Sequence, residues 1–250
     1  MRVDSKLPKI AAAFWVMKIC ATTLGETAGD LLSMTIDAGY AVSSIILLSA
    51  FVVSLIAQLL APRYFPPLYW LVILTTSTAG TTVSDYMDRT LGLGYATGSA
   101  ILIGLLVATL VFWRVTMGSL SVDQVKSRKA ELLYWIAILI SNTLGTALGD
   151  YLSDSSGLGF VGGALLIGAV LAVILALTYL TSLSRVALFW AAFVLTRPFG
   201  ATIGDVLTKP PAKGGIGLGT IGSSAILLAV LVTFVAIESV RQRRARAALP

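Results

Sequence analysis

WVMKICATTLGETAGD, residues 15–30, sets a tryptophan, a glycine ten residues later and an aspartate fifteen residues later. The frame returns as Trp70–Gly80–Asp85, Trp135–Gly145–Asp150 and Trp190–Gly200–Asp205. A small residue precedes each aspartate: Gly29, Ser84, Gly149 and Gly204. The tryptophans stand 55, 65 and 55 residues apart, so the two halves match at an offset of 120. Repetition of this kind marks a fold assembled from copies of one unit. Each copy of the frame lies in strongly apolar sequence, where a recurring acid is costly and asks for a reason.

The chain has 250 residues, 57% hydrophobic and 12% charged. Soluble domains carry about 25% charged residues, so the composition predicts an integral membrane protein. There is no histidine and one cysteine, Cys20, which excludes an intrachain disulfide and argues against soft or imidazole metal sites. The net charge of +6 does not imply nucleic acid, because the basic residues sit in short loops and at the tail. The apolar N-terminal run carries Lys18 and lacks a small-x-small cleavage site, so it reads as a first span and not as a secretory signal.

A span needs roughly 20 mostly apolar residues. Eight segments qualify, at about 10–33, 41–60, 67–87, 95–113, 132–153, 160–180, 187–207 and 219–238. The even segments are plainly apolar. The odd ones are rich in small and polar residues and carry the frame. The expected fold is an all-α integral membrane protein of eight transmembrane helices, arranged as four parallel two-helix repeats. The repeats run over residues 1–61, 62–125, 126–182 and 183–250, together forming one membrane domain. Each is expected to be a helical hairpin with an outer turn at Ala38-Gly39, Gly92–Gly94, Gly157–Gly159 or Gly217–Gly219. Thirteen basic residues fall on the side of the termini: Arg2, Lys6, Lys9, Arg63, Arg114, Lys126, Arg128, Lys129, Arg185, Arg241, Arg243, Arg244 and Arg246. Three fall on the other: Arg89, Lys209 and Lys213. That bias predicts a bacterial cytoplasmic (inner) membrane protein with both termini cytoplasmic.

The four tryptophan frames and the glycine turns resemble a long-uncharacterised family of bacterial multi-pass membrane proteins. That "membrane-anchored protein" family is built from four tandem copies of a two-helix repeat with a characteristic tryptophan. The resemblance covers essentially the whole chain. It implies topology and no particular activity.

Gly25 with Gly29, Gly145 with Gly149, and Gly200 with Gly204 are small-xxx-small pairs suited to close helix packing, and Gly80 holds the matching place in the second repeat. Trp15, Trp70, Trp135 and Trp190 fit an interfacial belt. Asp30, Asp85, Asp150 and Asp205 lie near the C-terminal ends of their helices, where the helix dipole disfavours an anion. They are either turn caps or candidates for a shared cation or proton site. If the repeats ring an axis, the four can converge. If pairs of repeats pack side by side, Asp30 would join Asp150 and Asp85 would join Asp205.

Glu26 shares a helix face with Asp30 and is a further candidate. Thr27, Thr82, Asn142 and Thr202 are supporting oxygen donors. Such a set suits hard cations or protons. Lys18 and Arg197 are the internal counter-charges, with Arg197 expected to neutralise Glu26 or Asp30. Pro198 is expected to kink its helix. Asp37, Asp88 and Asp154 read as solvated loop acids, Cys20 as a packing residue, and the 241–246 tail as an anionic-lipid contact.

The expected function is a secondary transporter or exporter of a hard inorganic cation, possible proton coupling included. The alternatives are a transporter of a small organic solute and a non-transport scaffold or regulatory subunit. The chain is not expected to be an enzyme. It has no nucleophile–histidine set, and a Gly-x-Gly-Asp protease pattern is spoiled by Thr27, Thr82, Ala147 and Thr202. No resident cofactor is expected; the expected partners are the lipid bilayer and an inorganic cation or proton, and the oligomeric state is left open.

Overall fold

The computed structural model describes residues 7–8, 10–125 and 127–247. Eight long helices make up most of it: α1 (Ala12–Asp30), α2 (Tyr40–Leu60), α3 (Pro66–Asp85), α4 (Tyr95–Met117), α5 (Arg128–Asp150), α6 (Gly159–Leu180), α7 (Arg185–Thr208) and α8 (Gly219–Ala247). No strand occurs among the described residues. Local chemistry accounts for their bounds. Pro66 presets φ in the first turn of α3. The Ser127 hydroxyl accepts the Ala130 N–H at 3.1 Å, and Ser184 accepts that of Ala187 at 3.4 Å, capping α5 and α7. In the first outer turn Asp37 adopts φ 62°, where the next two repeats use Gly92 and Gly157.

Six helices, α2 and α4 to α8, are long and apolar enough to cross a membrane. α1 and α3 are less apolar because they carry runs of threonine, serine and acid. Those polar groups do not face outward. Every residue from Thr22 to Thr27 in α1, and from Thr76 to Thr82 in α3, is buried.

The four frame helices close a ring: α1 packs on α3, α3 on α5, α5 on α7, and α7 back on α1. Outside it, α2 lies mainly on α3, α4 on α5, α6 on α7, and α8 on α1. The expected hairpin is therefore not the packing unit. In the first three repeats the two helices of one repeat barely touch, and each apolar helix covers the polar helix of the following repeat. The short outer turn joins the helices without making them partners. A surface that fits the next repeat closes the ring, and α8 completes it on α1.

Glycine sets the ring's diameter. A methyl group on Gly25, Gly80, Gly145 or Gly200 would overlap Ser77, Asn142, Arg197 or Thr22, each on the next helix around. Gly29, Gly149 and Gly204 likewise meet Thr81, Ala201 and Glu26. The small-xxx-small expectation holds, with a direction: each helix offers its glycines to the larger side chains of its successor.

The tryptophans correct an expectation. Trp70, Trp135 and Trp190 are buried, and Trp15 is half-buried. Contacts run right around the ring: Phe14–Trp70 (centroids 5.8 Å apart), Tyr69–Trp135 (5.5 Å), Tyr134–Trp190 (6.3 Å) and Trp15–Phe189 (5.7 Å). Two indole N–H groups find internal acceptors, Trp70 at Glu238 Oε2 (3.1 Å) and Trp190 at the Leu120 carbonyl (3.0 Å). Trp70, Trp135 and Trp190 turn into the bundle and close one end of it, while Trp15 keeps an exposed edge. Arg2, Lys6, Lys9 and Lys126, four of the bases used for the orientation, lie outside the described residues, as does the side chain of Arg246.

Candidate cation site at the aspartate end of the helix ring

Counted from each tryptophan in steps of four, about 6 Å of helical rise each, the ring interior is layered. The third positions are Lys18, Ile73, Ile138 and Phe193. The seventh are Thr22, Ser77, Asn142 and Arg197. The eleventh are Glu26, Thr81, Thr146 and Ala201, and the fifteenth are the four aspartates. All sixteen residues are buried.

The aspartates sit in two bridged pairs. Arg89 places Nε 2.9 Å from Asp85 Oδ1 and Nη2 3.0 Å from Asp150 Oδ2. Lys209 places Nζ 3.2 Å from Asp30 Oδ2 and 3.3 Å from Asp205 Oδ1. Ring neighbours are paired, so the side-by-side arrangement of Asp30 with Asp150 and Asp85 with Asp205 does not form. Arg89 and Lys209 were expected to be loop bases of the outer face. They are members of the site. Each follows an aspartate by four residues, and the two are related by the 120-residue offset. Both signals are present in the sequence.

The carboxylates of Asp30, Asp85 and Asp150 make no capping hydrogen bond to the turn that follows them. After Asp30, Asp85 and Asp150 the backbone widens into a π-helical turn, at Leu31–Thr35, Tyr86–Thr90 and Tyr151–Ser155. The fourth repeat has none; α7 runs to Thr208, and its extra residues follow in the 209–215 loop.

Arg197 spans the ring. From α7 it donates Nη1 to Glu26 Oε2 on α1 at 3.0 Å and Nη2 to the hydroxyls of Thr81 on α3 and Thr146 on α5. A fourth, longer contact joins Nη2 to the Ser77 carbonyl at 3.4 Å. Both threonines also donate to Glu26 Oε2, each at 3.3 Å. Ala201, the small member of that layer, belongs to the same helix as the arginine. The expected pairing of Arg197 with Glu26 is thus present, whereas Asp30 is paired with Lys209. α7 continues through Pro198 without interruption. Lys18 Nζ lies 4.1 Å from the centre of the Phe193 ring, with no hydrogen-bond partner among the described residues.

Glu26, Asp30 and Asp205 each offer a carboxylate oxygen within 4.8 Å of the other two. Three hard anionic oxygens at this spacing suit a Mg²⁺, Mn²⁺, Ca²⁺ or alkali ion.

The supporting donors are only partly where they were expected. Thr27 accepts from Ser224 on α8 at 2.9 Å, Thr82 donates to its own helix at Ala79, and Thr202 donates to Pro198 and Phe199. They stay buried but point away from the ring axis, because they lie one residue past the layer that points inward. Thr81 and Thr146 take the supporting role. Asn142 donates to Thr76 at 2.8 Å, between α3 and α5. Asp88 is also corrected: it is buried, accepts from Ser84 at 3.4 Å and packs over Gly98. Asp37 and Asp154 are exposed as expected. Cys20 is buried, its thiol 3.4 Å from the Leu227 carbonyl on α8.

The family model for a "Repeat of Unknown Function (DUF347)" matches residues 13–64, 68–119, 133–184 and 188–244. The chain belongs to this repeat family. The four matches coincide with the four frames, so the family's unit is one ring helix plus one outer helix. No curated protein and no solved structure matches the chain.

Proposed function

We propose that this protein is a secondary transporter of a hard inorganic cation, coupled to protons, and that Asp30, Asp85, Asp150, Asp205 and Glu26 carry the ion. The observation behind this reading is the Glu26–Asp30–Asp205 group, three buried acids drawn together at the end of the ring away from the aromatic layer. Buried acids grouped inside a membrane bundle mark ion and proton pathways. Lys209 bridges Asp30 and Asp205, and an arriving cation takes its place. Arg197 holds Glu26 and crosses the axis, so passage requires that pair to open. The aromatic layer is the second gate. Exchange follows if protons neutralise the same carboxylates when the cation leaves.

This reading takes all eight helices as spans of a bacterial inner membrane with both termini cytoplasmic. α1 and α3 tolerate their polar residues because α2 and α8 help to cover them. Reporter fusions at the two termini and in the 209–215 loop test that orientation.

The decisive experiment is flux into proteoliposomes, scanning Mn²⁺, Mg²⁺, Ca²⁺, Na⁺ and H⁺, with wild type beside folded Asp205→Asn and Asp150→Asn. Flux of one cation that Asp205→Asn abolishes supports the reading. No flux above empty liposomes for any of them overturns it. One observation favours a non-transport scaffold instead: every aspartate of the layer already has a cationic partner. A scaffold loses function with the ring glycines and keeps it with aspartate-to-asparagine changes.

A further inference from the structure

The four repeats are not equally filled. Gln58, Trp113 and Thr178 each stand 43 residues after their tryptophan; Glu238 stands 48 after Trp190 because of the five-residue insertion. Three of these four outer-helix residues reach the ring helix two repeats on. Gln58 Nε2 donates to Glu131 on α5 at 3.2 Å. Trp113 packs edge-on against Trp190 on α7 at 5.6 Å. Glu238 accepts the indole N–H of Trp70 on α3 at 3.1 Å. Thr178 is the exception. The equivalent contact would be with Trp15 on α1, but its short side chain donates to Ile174 of its own helix at 2.8 Å.

A cavity of about 800 Å³ lies in that place, between Thr178 and Trp15. Its walls are mostly apolar, with Ile19, Leu171, Leu175 and Phe189 prominent. It reaches from Arg185 at the start of α7 to Thr196, eleven residues or about 16 Å along the helix. That length and lining suit an acyl chain. The mouth carries one base and one acid, Arg185 and Asp123. Neither has a hydrogen-bond or ion-pair partner among the described residues. A purely anionic headgroup would leave Asp123 opposed. A headgroup with a phosphate and a primary ammonium satisfies both.

We propose that this cavity is a binding site for a zwitterionic phosphoethanolamine phospholipid. One acyl chain fills the space beside Trp15, the phosphate meets Arg185, and the ammonium meets Asp123. The chain's inner end then lies against Thr196, next to Arg197, so occupancy buttresses the helix that carries the axial arginine. The site stands on the cavity and its mouth and does not depend on cation transport.

The test uses tryptophan quenching by phospholipids with brominated chains, on purified full-length protein in neutral detergent. Trp70, Trp113, Trp135 and Trp190 are buried, so Trp15 is the main reporter. The brominated lipids carry phosphoethanolamine, phosphocholine or phosphoglycerol headgroups. The expected result is half-quenching at about fivefold lower mole fraction for the phosphoethanolamine lipid than for either other lipid, the scale of one charge at a membrane surface. Trp15→Phe removes that component. Asp123→Asn removes the preference over phosphoglycerol, and Arg185→Gln raises the mole fraction for all three. Ala192→Phe, which fills the cavity wall, weakens quenching by every lipid. Overlapping curves for the three headgroups overturn the proposal. So does a preference for phosphoglycerol, or quenching that survives Trp15→Phe. An unchanged melting temperature shows that each variant is folded.

Discussion

Arg197 reaches across the helix ring to Glu26, guanidinium nitrogen to carboxylate oxygen at 3.0 Å, with both side chains shut away from solvent. The same guanidinium donates to one threonine on each of the other two ring helices. One side chain therefore ties together all four repeats at a single level. Only the fourth repeat carries an arginine there and only the first carries a glutamate, so the pair is made where the ring closes.

Removing one partner of that pair leaves an uncompensated buried charge. Arg197→Ala or Glu26→Gln is expected to cost about 3–5 kcal/mol of stability, the range for breaking buried pairs. The double variant Arg197→Met/Glu26→Met is expected to recover much of the loss, because both charges then disappear together. Thermal denaturation in detergent of the two singles and the double measures this. Additive losses would show that the two residues act independently.

Ring glycines and outer glycines should respond oppositely to alanine. Gly200→Ala and Gly145→Ala push a methyl group into the neighbouring helix, at Thr22 and at Arg197, and are expected to destabilise by about 1–3 kcal/mol. Gly104→Ala and Gly222→Ala meet nothing within 4 Å and should gain up to about 1 kcal/mol from helix propensity. Melting temperatures of the four variants, taken side by side, check the sign of each.

Asp37 holds a left-handed backbone that its counterparts reach with glycine. Asp37→Gly should stabilise the outer turn by up to about 1 kcal/mol, since the conformation penalises a side chain there. Loss of stability in that variant would show that the exposed Asp37 carboxylate makes a stabilising contact.

Arg89 serves two acids with two different nitrogens and lies 5.6 Å from the Tyr95 ring centre. A lysine has one nitrogen and no planar face, so Arg89→Lys is expected to lose about 1 kcal/mol. Lys209→Gln leaves Asp30 and Asp205 without their cation. On the transport reading it lowers the concentration of cation needed for half-maximal binding about tenfold and slows release. Equilibrium binding and flux of the same preparation separate those two effects. Weaker binding in Lys209→Gln would argue that the lysine positions the acids for the ion.

The helices themselves were legible because apolar length is a local property. The expected segment 41–60 is the helix Tyr40–Leu60, and 187–207 is Arg185–Thr208. The π-helical turns after Asp30, Asp85 and Asp150 were not legible, because no residue pattern in those segments distinguishes a wide turn from a tight one. Among the donors, Thr82 is the expected member of the supporting set and its neighbour Thr81 takes that role, for a simple reason. One residue is a rotation of about 100° around the helix, and the inward direction is unknown until neighbours are placed.

By itself the sequence determined that there are four copies of one unit, where the helices run, and that each copy contributes one acid at the same level. Those properties follow from spacing and hydropathy along a single stretch of chain. The tertiary structure decided which copies become neighbours. It put Arg89 between Asp85 and Asp150, Lys209 between Asp30 and Asp205, and Arg197 against Glu26. It also made the outer helix of each repeat the partner of the next repeat's ring helix. Apart from the four-residue pairs Asp85–Arg89 and Asp205–Lys209, these are contacts between residues far apart in the chain, set by the fit of glycine faces against bulkier neighbours, and the spacing within one repeat does not encode that fit.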